Sequence, residues 1–389
     1  MDLRLTETQK LIQDTARNFA QNELAPVAAQ LDENPYSEEN KKIFLGNLKK
    51  LAELGLMGIN VSAEYGGSEA GVIAFSVAMT EIGRACASTA VTMSVNNMVA
   101  EVIQSVGSDE QKNKYVPKVC SGEYSAGGFA LTETSAGSDP SDMRTQAVLD
   151  GNEWVVNGNK IFITSSEYAG CYVLWAVTDK EAKKGKGIST FILEQNDPGL
   201  TVGRAEHKMG QKASVTNELI FDNCRFPEDR LMGKLNGGFR VAVAELTGGR
   251  IGIGSMALGI GLAAMDYATR YAKDRIQFNQ PITNFQAIQW MIAERYTELE
   301  AARLLLMNAA YQKENTDFFA RESSMAKYFA TEAAERACRS AVQMLGGYGY
   351  TAEYPVERYT RDTRIASIYE GTNEIQRMII ARDILRSLG

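Results

Sequence analysis

The sequence predicts a mostly α-helical protein with a central antiparallel, barrel-like β domain and a C-terminal four-helix bundle. Two observations carry this expectation. Apolar residues recur every three or four positions over long stretches at both ends of the chain, the spacing of one buried helical face. Between residues 146 and 164 the pattern changes to short strand-forming runs, divided by Asp150-Gly151 and Asn157-Gly158. A glycine there can take the positive φ that tight hairpins require.

The elements follow in order. An N-terminal helical unit is expected over residues 1–122. Thr6-Glu7-Thr8-Gln9 has the form of a capping box, with a threonine N-cap and a glutamine three residues later. Leu11, Ile12, Ala16, Phe19, Ala20 and Leu24 then share one helical face, and further helices are expected over 38–54 and 74–106. A β unit is expected over 123–235, with strands at 147–149, 154–156, 160–164, 172–177, 189–193 and 217–221. From 236 to 389 long helices at 251–274, 285–313 and 318–345 predict an antiparallel bundle.

Composition narrows the function. The 389 residues carry 41 basic and 48 acidic side chains, a net charge of -7, which argues against a general nucleic-acid binder, since that would need a basic face to replace counterions. Lys180, Lys183, Lys184 and Lys186 cluster, but read as a solvated loop. Cys86, Cys120, Cys171, Cys224 and Cys338 are scattered without metal-ligand spacing and read as buried thiols of a reducing cytoplasm. His207 is the single histidine, so a histidine-based triad or a histidine-rich metal site would have to be built on that residue; no metal is expected. The start lacks a signal-peptide pattern, and the uncharged stretches 85–100 and 251–265 are too short to span a bilayer. A cytoplasmic protein without membrane insertion is expected.

Gly252-Ile253-Gly254-Ser255-Met256-Ala257 matches a dinucleotide-binding pattern, but its flanks are helical rather than strand–turn–helix, which favours close helix packing. Glu370-Gly371-Thr372 suggests a loop entering a capped helix, with Thr372 as N-cap and Glu374 at its positive end. Taken locally, Glu370 reads either as a functional acid or as a solvated turn residue.

Several ordered segments resemble the acyl-CoA dehydrogenase family over essentially the whole chain. They are Phe129-Ala130-Leu131-Thr132-Glu133, Ala136-Gly137-Ser138-Asp139, Asn157-Gly158-Asn159-Lys160-Ile161-Phe162-Ile163-Thr164, Arg275-Ile276-Gln277-Phe278, Gln343-Met344-Leu345-Gly346-Gly347 and Ile368-Tyr369-Glu370-Gly371-Thr372. The resemblance implies FAD as cofactor, an electron-transfer flavoprotein as electron acceptor and a homo-oligomer, expected to be a tetramer, closest to the short- and medium-chain branches. It implies that Phe129, Leu131, Thr132, Phe162 and Thr164 lie beside the flavin ring and Ser138 near phosphates. It implies that Arg275, Gln277, Phe278, Gln343, Gly346 and Gly347 meet the ADP half across a subunit interface, and that Thr372 and Glu374 also face the cofactor.

Glu370 is then implied to be the base that removes the α-proton of an acyl-CoA thioester. Ser138, Thr247, Arg250, Tyr369 and Gly371 are implied to lie along the substrate, although an ion-pair role for Arg250 is equally compatible with its sequence context. Three positions depart from the family pattern: Thr247 where aspartate is common, Asn96 where histidine is frequent, and Asn279 where glycine is frequent. They leave the acyl group open, short-chain or cyclic. Two other readings stay open: an oxygen-using relative (an acyl-CoA oxidase or flavin monooxygenase), and a non-catalytic acyl-CoA-binding or assembly protein.

Overall fold

A computed structural model describes residues 4–388. Six helices come first: α1 (Glu7–Phe19), α2 (Ala28–Glu33), α3 (Glu38–Glu53), α4 (Val72–Ala85), α5 (Ala87–Val106) and α6 (Asp109–Ser121). The capping box at Thr6 forms as expected: Gln9 N donates to Thr6 Oγ1 at 3.2 Å and Thr6 N to Gln9 Oε1 at 3.0 Å. The helix expected over 74–106 is instead two. Cys86, with φ -150° and ψ 105°, interrupts the ladder between α4 and α5, and no Pro or Gly marks the break.

Eight strands form the middle sheet: β1 (Ala126–Ala130), β2 (Gln146–Asp150), β3 (Glu153–Thr164), β4 (Ala169–Val177), β5 (Ile188–Glu194), β6 (Leu200–Ala205), β7 (Thr216–Pro227) and β8 (Leu231–Met232). Their order is β6-β7-β3-β2-β4-β5-β8, with β1 on β4. The sheet is mixed, which corrects the antiparallel expectation: β1 runs parallel to β4, pairing Phe129 with Val173. A chain arriving from α6 reaches β4 from the same end that β4 itself starts from, and strand patterning carries no signal for that direction.

Asp150-Gly151 makes the expected hairpin between β2 and β3, with Gly151 at φ +66°. Asn157-Gly158 does not. β3 runs straight through it, and the register to β7 slips between Val156 and Gly158. Gly158 (φ +138°) lies so close to Thr145 that a Cβ would sit 2.7 Å from its hydroxyl, so the glycine serves a β-bulge rather than a turn.

The C-terminal bundle comprises α7 (Gly238–Asp274), α8 (Gln286–Asn315), α9 (Ala320–Leu345), α10 (Val356–Arg364) and α11 (Asn373–Ser387), with a hairpin of β9 (Ile276–Gln277) and β10 (Gln280–Pro281) after α7. α7 begins 13 residues before the periodicity suggested, carrying Thr247-Gly248-Gly249-Arg250 inside the helix. It is long and apolar enough to cross a membrane, yet 78% of its most apolar window is buried in the protein, as befits a core helix. Its glycines are packing residues, as the helical flanks implied. A Cβ on Gly254 would meet Leu306 at 2.7 Å, and one on Gly259 would meet the Thr80 carbonyl at 2.2 Å. All five cysteines are free and buried. His207 is exposed and packs edge-on against Tyr36, 5.8 Å between ring centres.

Candidate functional site

Glu370 lies in the loop between α10 and α11, where α5, α7 and α9 converge. The loop's shape follows from local chemistry. Thr372 caps α11, accepting from Ile375 N, and its predecessors bend back in the left-handed region, Glu370 at φ +54° and Gly371 at φ +84°. Glycine takes that conformation freely; for glutamate it costs roughly 1–3 kcal/mol and persists only where neighbours enforce it. Here they do. Gln376 Nε2 donates to the carbonyls of Glu370 (3.2 Å) and Gly371 (2.8 Å), and Lys327 Nζ donates to Gly371 O at 2.9 Å.

The residue is part-exposed, but its carboxylate oxygen Oε2 is buried with no hydrogen-bond partner among the described residues. It lies against α7 at Gly249, where a Cβ would come within 3.1 Å of it and within 2.8 Å of Met98 Sδ. Burial pushes the Glu370 carboxyl up to about 7, opposed by Arg250 and then Lys327. The Glu370 N–H donates to no acceptor among the described residues. Glu370 is therefore not the fully solvated turn residue that its local sequence allowed. An unpartnered acid and a free donor at one residue can hold a proton and polarise a carbonyl.

Arg250 is 6% exposed; its Nη1 donates to Ser324 Oγ at 3.3 Å while Nε has no partner, and burial lowers its pKa to about 10. It forms no close ion pair with Glu370, so it influences the acid at longer range. The Thr247 hydroxyl is committed to the Val243 carbonyl at 2.7 Å. Tyr369 turns inward, its hydroxyl within 3.1 Å of Gln211 Nε2. Asn96 is a core tie: its amide donates to Met57 O and Val119 O and its oxygen accepts from Gly127 N, joining α5 to β1. Its departure from the family pattern thus bears on packing. Asn279 sits at φ +63° in the β9–β10 turn, a conformation asparagine tolerates.

The middle sheet gathers a second group. Ile161 N donates to Thr132 O at 2.9 Å, and buried Lys160 bridges Leu131 O (2.9 Å) and Glu133 Oε1 (2.8 Å), fixing Leu131 and Thr132 beside β3. Phe129 packs against Trp175 with the rings tilted by 44°, their centres 4.4 Å apart. Phe162 stands at φ +60° beside a second register slip in β3, between Lys160 and Ile163, and is 61% exposed. A bulge that turns a phenylalanine out to solvent is a costly arrangement for a lone sheet. Thr164 ends the same strand, and Ser138 lies exposed in the loop after β1.

A third group collects at the far end of the bundle. Arg275 is the C-cap of α7 and lies over the Tyr348 ring, 5.8 Å from its centre, bringing it beside Gly346-Gly347. Gly346 has φ +60° and ψ -132°, a region open to glycine, and a Cβ on either glycine would meet nothing within 4 Å. Gln277, Gln343 and Phe278 are exposed beside them, Phe278 at 85%. Within one chain no hydrogen bond or ion pair among the described residues joins this group to Phe162 and Thr164. Glu374 is exposed in the first turn of α11.

Sequence reasoning missed Lys327, Gln376, Met98 and Gly249. Lys327 had a signal: it shares a helical face with Ser323, Ala326, Ala330 and Ala334, all small, which forecasts burial of its charge.

Fold and site together define a helix–sheet–bundle protein built around a loop-borne acid, and comparison with known proteins identifies the group. The chain matches the acyl-CoA dehydrogenase N-terminal domain over residues 6–123, the middle domain over 128–224 and the C-terminal domain over 236–385. It belongs to the acyl-CoA dehydrogenase family. It is 45% identical over 387 residues to the mitochondrial short-chain specific acyl-CoA dehydrogenase of Mus musculus, covering 99% of this chain and 92% of that one. Butyryl-CoA dehydrogenase from Megasphaera elsdenii superposes with a TM-score of 0.94 at 38% identity, covering 99% and 100% of the two chains. A chain in a structure of the electron transferring flavoprotein of Acidaminococcus fermentans superposes at 0.95 with 42% identity, covering 99% and 100%. An acyl-CoA dehydrogenase from Bacillus anthracis, complexed with FAD, superposes at 0.91 with 32% identity over 99% of this chain and 68% of that one.

The family's cofactor is FAD, and the residues present fit it. The outward Phe162 offers an apolar face for a flat ring. The open glycine pair with Arg275 suits a pyrophosphate, which takes backbone N–H groups and a guanidinium at close range.

Proposed function

We propose that this chain oxidises a short acyl-CoA thioester to its 2,3-enoyl-CoA, with Glu370 as the base at the α-carbon. The observation that carries this reading is the buried, unpartnered Glu370 Oε2 with its pKa raised to about 7. A carboxylate relieved of solvent and lacking a strong partner is a better proton acceptor than one in water. The free N–H of the same residue is suited to the thioester carbonyl. Hydrogen bonding there stabilises the charge that builds as the α-proton leaves, a contribution of about 2.7–4 kcal/mol per donor in measured cases. When bound, FAD supplies the two-electron acceptor for the hydrogen that leaves the β-carbon as hydride. The α-proton would go to Glu370 as the C–C bond becomes double.

Phe129, Leu131, Thr132, Ser138, Phe162 and Thr164 are assigned to one side of the cofactor. Thr372 and Glu374 are assigned to its approach from the catalytic loop. Arg275, Gln277, Phe278, Gln343, Gly346 and Gly347 are assigned to the ADP half bound by a neighbouring subunit, since within one chain they do not join the ring-side group. Arg250 and Gly371 are assigned to the substrate side, with Ser138, Thr247 and Tyr369 shaping its walls. The shared cofactor requires at least two subunits, and a homotetramer is the assembly proposed. An electron-transfer flavoprotein as acceptor is supported by the Acidaminococcus likeness, and a short acyl group by the short-chain and butyryl-CoA relatives. A cytoplasmic location accords with five unpaired buried thiols.

Anaerobic titration of the purified holoenzyme with a panel of short linear, branched and cyclic acyl-CoAs tests this directly. Bleaching of the flavin absorbance by at least one thioester is expected. Unchanged absorbance across the panel would leave an acyl-CoA-binding role, and rapid oxygen consumption without a dye or flavoprotein acceptor would make the enzyme an oxidase.

A further inference from the structure

Lys327 sits in the first third of α9 with its side chain wholly buried, and the chemistry above does not use it. Its ammonium donates to Gly371 O at 2.9 Å and to Asn373 Oδ1 at 3.1 Å. Asn373 is fixed in turn by Thr331 Oγ1 (3.0 Å) and Glu332 Oε1 (3.2 Å). Gln376 holds the same loop from α11 through the carbonyls of Glu370 and Gly371. Two consecutive left-handed residues are thus tied by side chains from two helices. A buried lysine is expensive unless its hydrogen bonds compensate, and methionine or leucine would fill the same space between α9 and the loop without that cost.

We propose that Lys327 is a positioning residue for Glu370: by holding the Gly371 carbonyl it aims the carboxylate at the substrate α-carbon, and its charge faces the base across the loop. This rests on the assignment of Glu370 as the base. The charged and titratable groups around Glu370 are Arg250 and Glu245 from α7, Lys327 from α9, and the neighbouring Tyr369. Behind Glu245 lies the Lys313–Glu101 pair (2.8 Å) from α8 and α5. Lys327 also feels Arg250, Glu374 and Glu332. Burial brings Lys327 down to about 7, opposed chiefly by Glu370. A charged Lys327 favours the ionised base.

The test uses holoenzyme carrying Lys327→Met or Lys327→Arg. It follows exchange of the butyryl-CoA α-proton with deuterated solvent against pH, anaerobically, together with backbone amide exchange across residues 367–373. For Lys327→Met the α-proton exchange should fall on the order of 10–100-fold, as expected for a base displaced by up to about 1 Å. Its midpoint should move to higher pH, and the 367–373 amides should lose protection while those of α7 keep theirs. Lys327→Arg carries its charge at every pH but not the contact, so its rate and loop protection should fall while the midpoint does not move to higher pH. A Lys327→Met enzyme with wild-type rate and midpoint overturns the proposal, whatever happens to its melting temperature. Should that variant not fold, wild-type rate and loop protection in Lys327→Arg overturn it instead. Glu370→Gln is run alongside. If it still exchanges the α-proton, the assignment of the base is wrong; if it is inert while Lys327→Met behaves as wild type, only the positioning role falls.

Discussion

Gly249 and Glu370 are fitted to each other: a methyl at position 249 would lie 3.1 Å from Glu370 Oε2 and 2.8 Å from Met98 Sδ. The missing side chain on α7 is what lets the acid turn inward between α5 and α7. Because Met98 can give way more readily than the clamped loop, Gly249→Ala should fold, at a cost of about 1–3 kcal/mol for overpacking. Its turnover should drop on the order of 100-fold, because the carboxylate is pushed off its line. Steady-state kinetics beside a thermal melt separate the two effects, and a wild-type rate would contradict the placement.

Glu370→Gln should retain FAD and the melting behaviour of a folded enzyme, yet lose about 10²–10⁴-fold in dehydrogenation, the range attributed to a positioned general base. Near-normal turnover in that variant would remove Glu370 from the chemistry.

The pH profile has a defined sign. The ionised form of Glu370 is the active one, and its pKa is raised to about 7. Activity expressed as kcat/KM should therefore climb between about pH 6 and 8 and level off above. A bound thioester excludes more water from the acid, so the kcat midpoint should lie at higher pH than that of kcat/KM. A flat profile from pH 5 to 8 would mean the acid is solvated in solution.

Arg275→Ala should purify with less flavin, read as a lower ratio of flavin to protein absorbance, and should regain it when FAD is added in excess. The same preparation should show a shifted oligomer distribution on a sizing column. Full flavin content in a monomeric peak would contradict the shared cofactor.

Lys160→Met removes one partner of a buried pair in which Lys160 is 0% and Glu133 5% exposed. Breaking such a pair costs about 3–5 kcal/mol because the remaining charge stays buried. Two backbone donors, Arg144 N and Thr145 N, still reach Glu133, so the loss should sit at the low end. Thermal denaturation of the holoenzyme measures it.

Much of this was legible in the sequence wherever side-chain chemistry is local. The Thr6 capping box, the Thr372 cap and the Asp150-Gly151 hairpin each satisfy their hydrogen bonds or dihedrals within a few residues, and each formed as read. Asn157-Gly158 offered the same local signal and misled, because β7 pairs with β3 on both sides of it and converts a turn dipeptide into a bulge. The break at Cys86, the parallel β1–β4 pairing and the early start of α7 are imposed by packing between distant segments, which spacing along the chain does not record. The acid itself was found through family likeness; local sequence left it undecided, since its burial comes from Gly249, Met98 and Lys327, between 43 and 272 positions away.

α7 has a further consequence. Its 37 residues make a rod about 55 Å long, with Gly249 against one acid in its first third and Arg275 just past its end. In the proposed assembly those two ends serve different catalytic centres, one in the same polypeptide and one next door. Mixing a Glu370→Gln protomer with a flavin-depleted Arg275→Ala protomer would then sort both lesions into one centre and leave its twin whole, so activity should rise above that of either preparation on exchanging subunits.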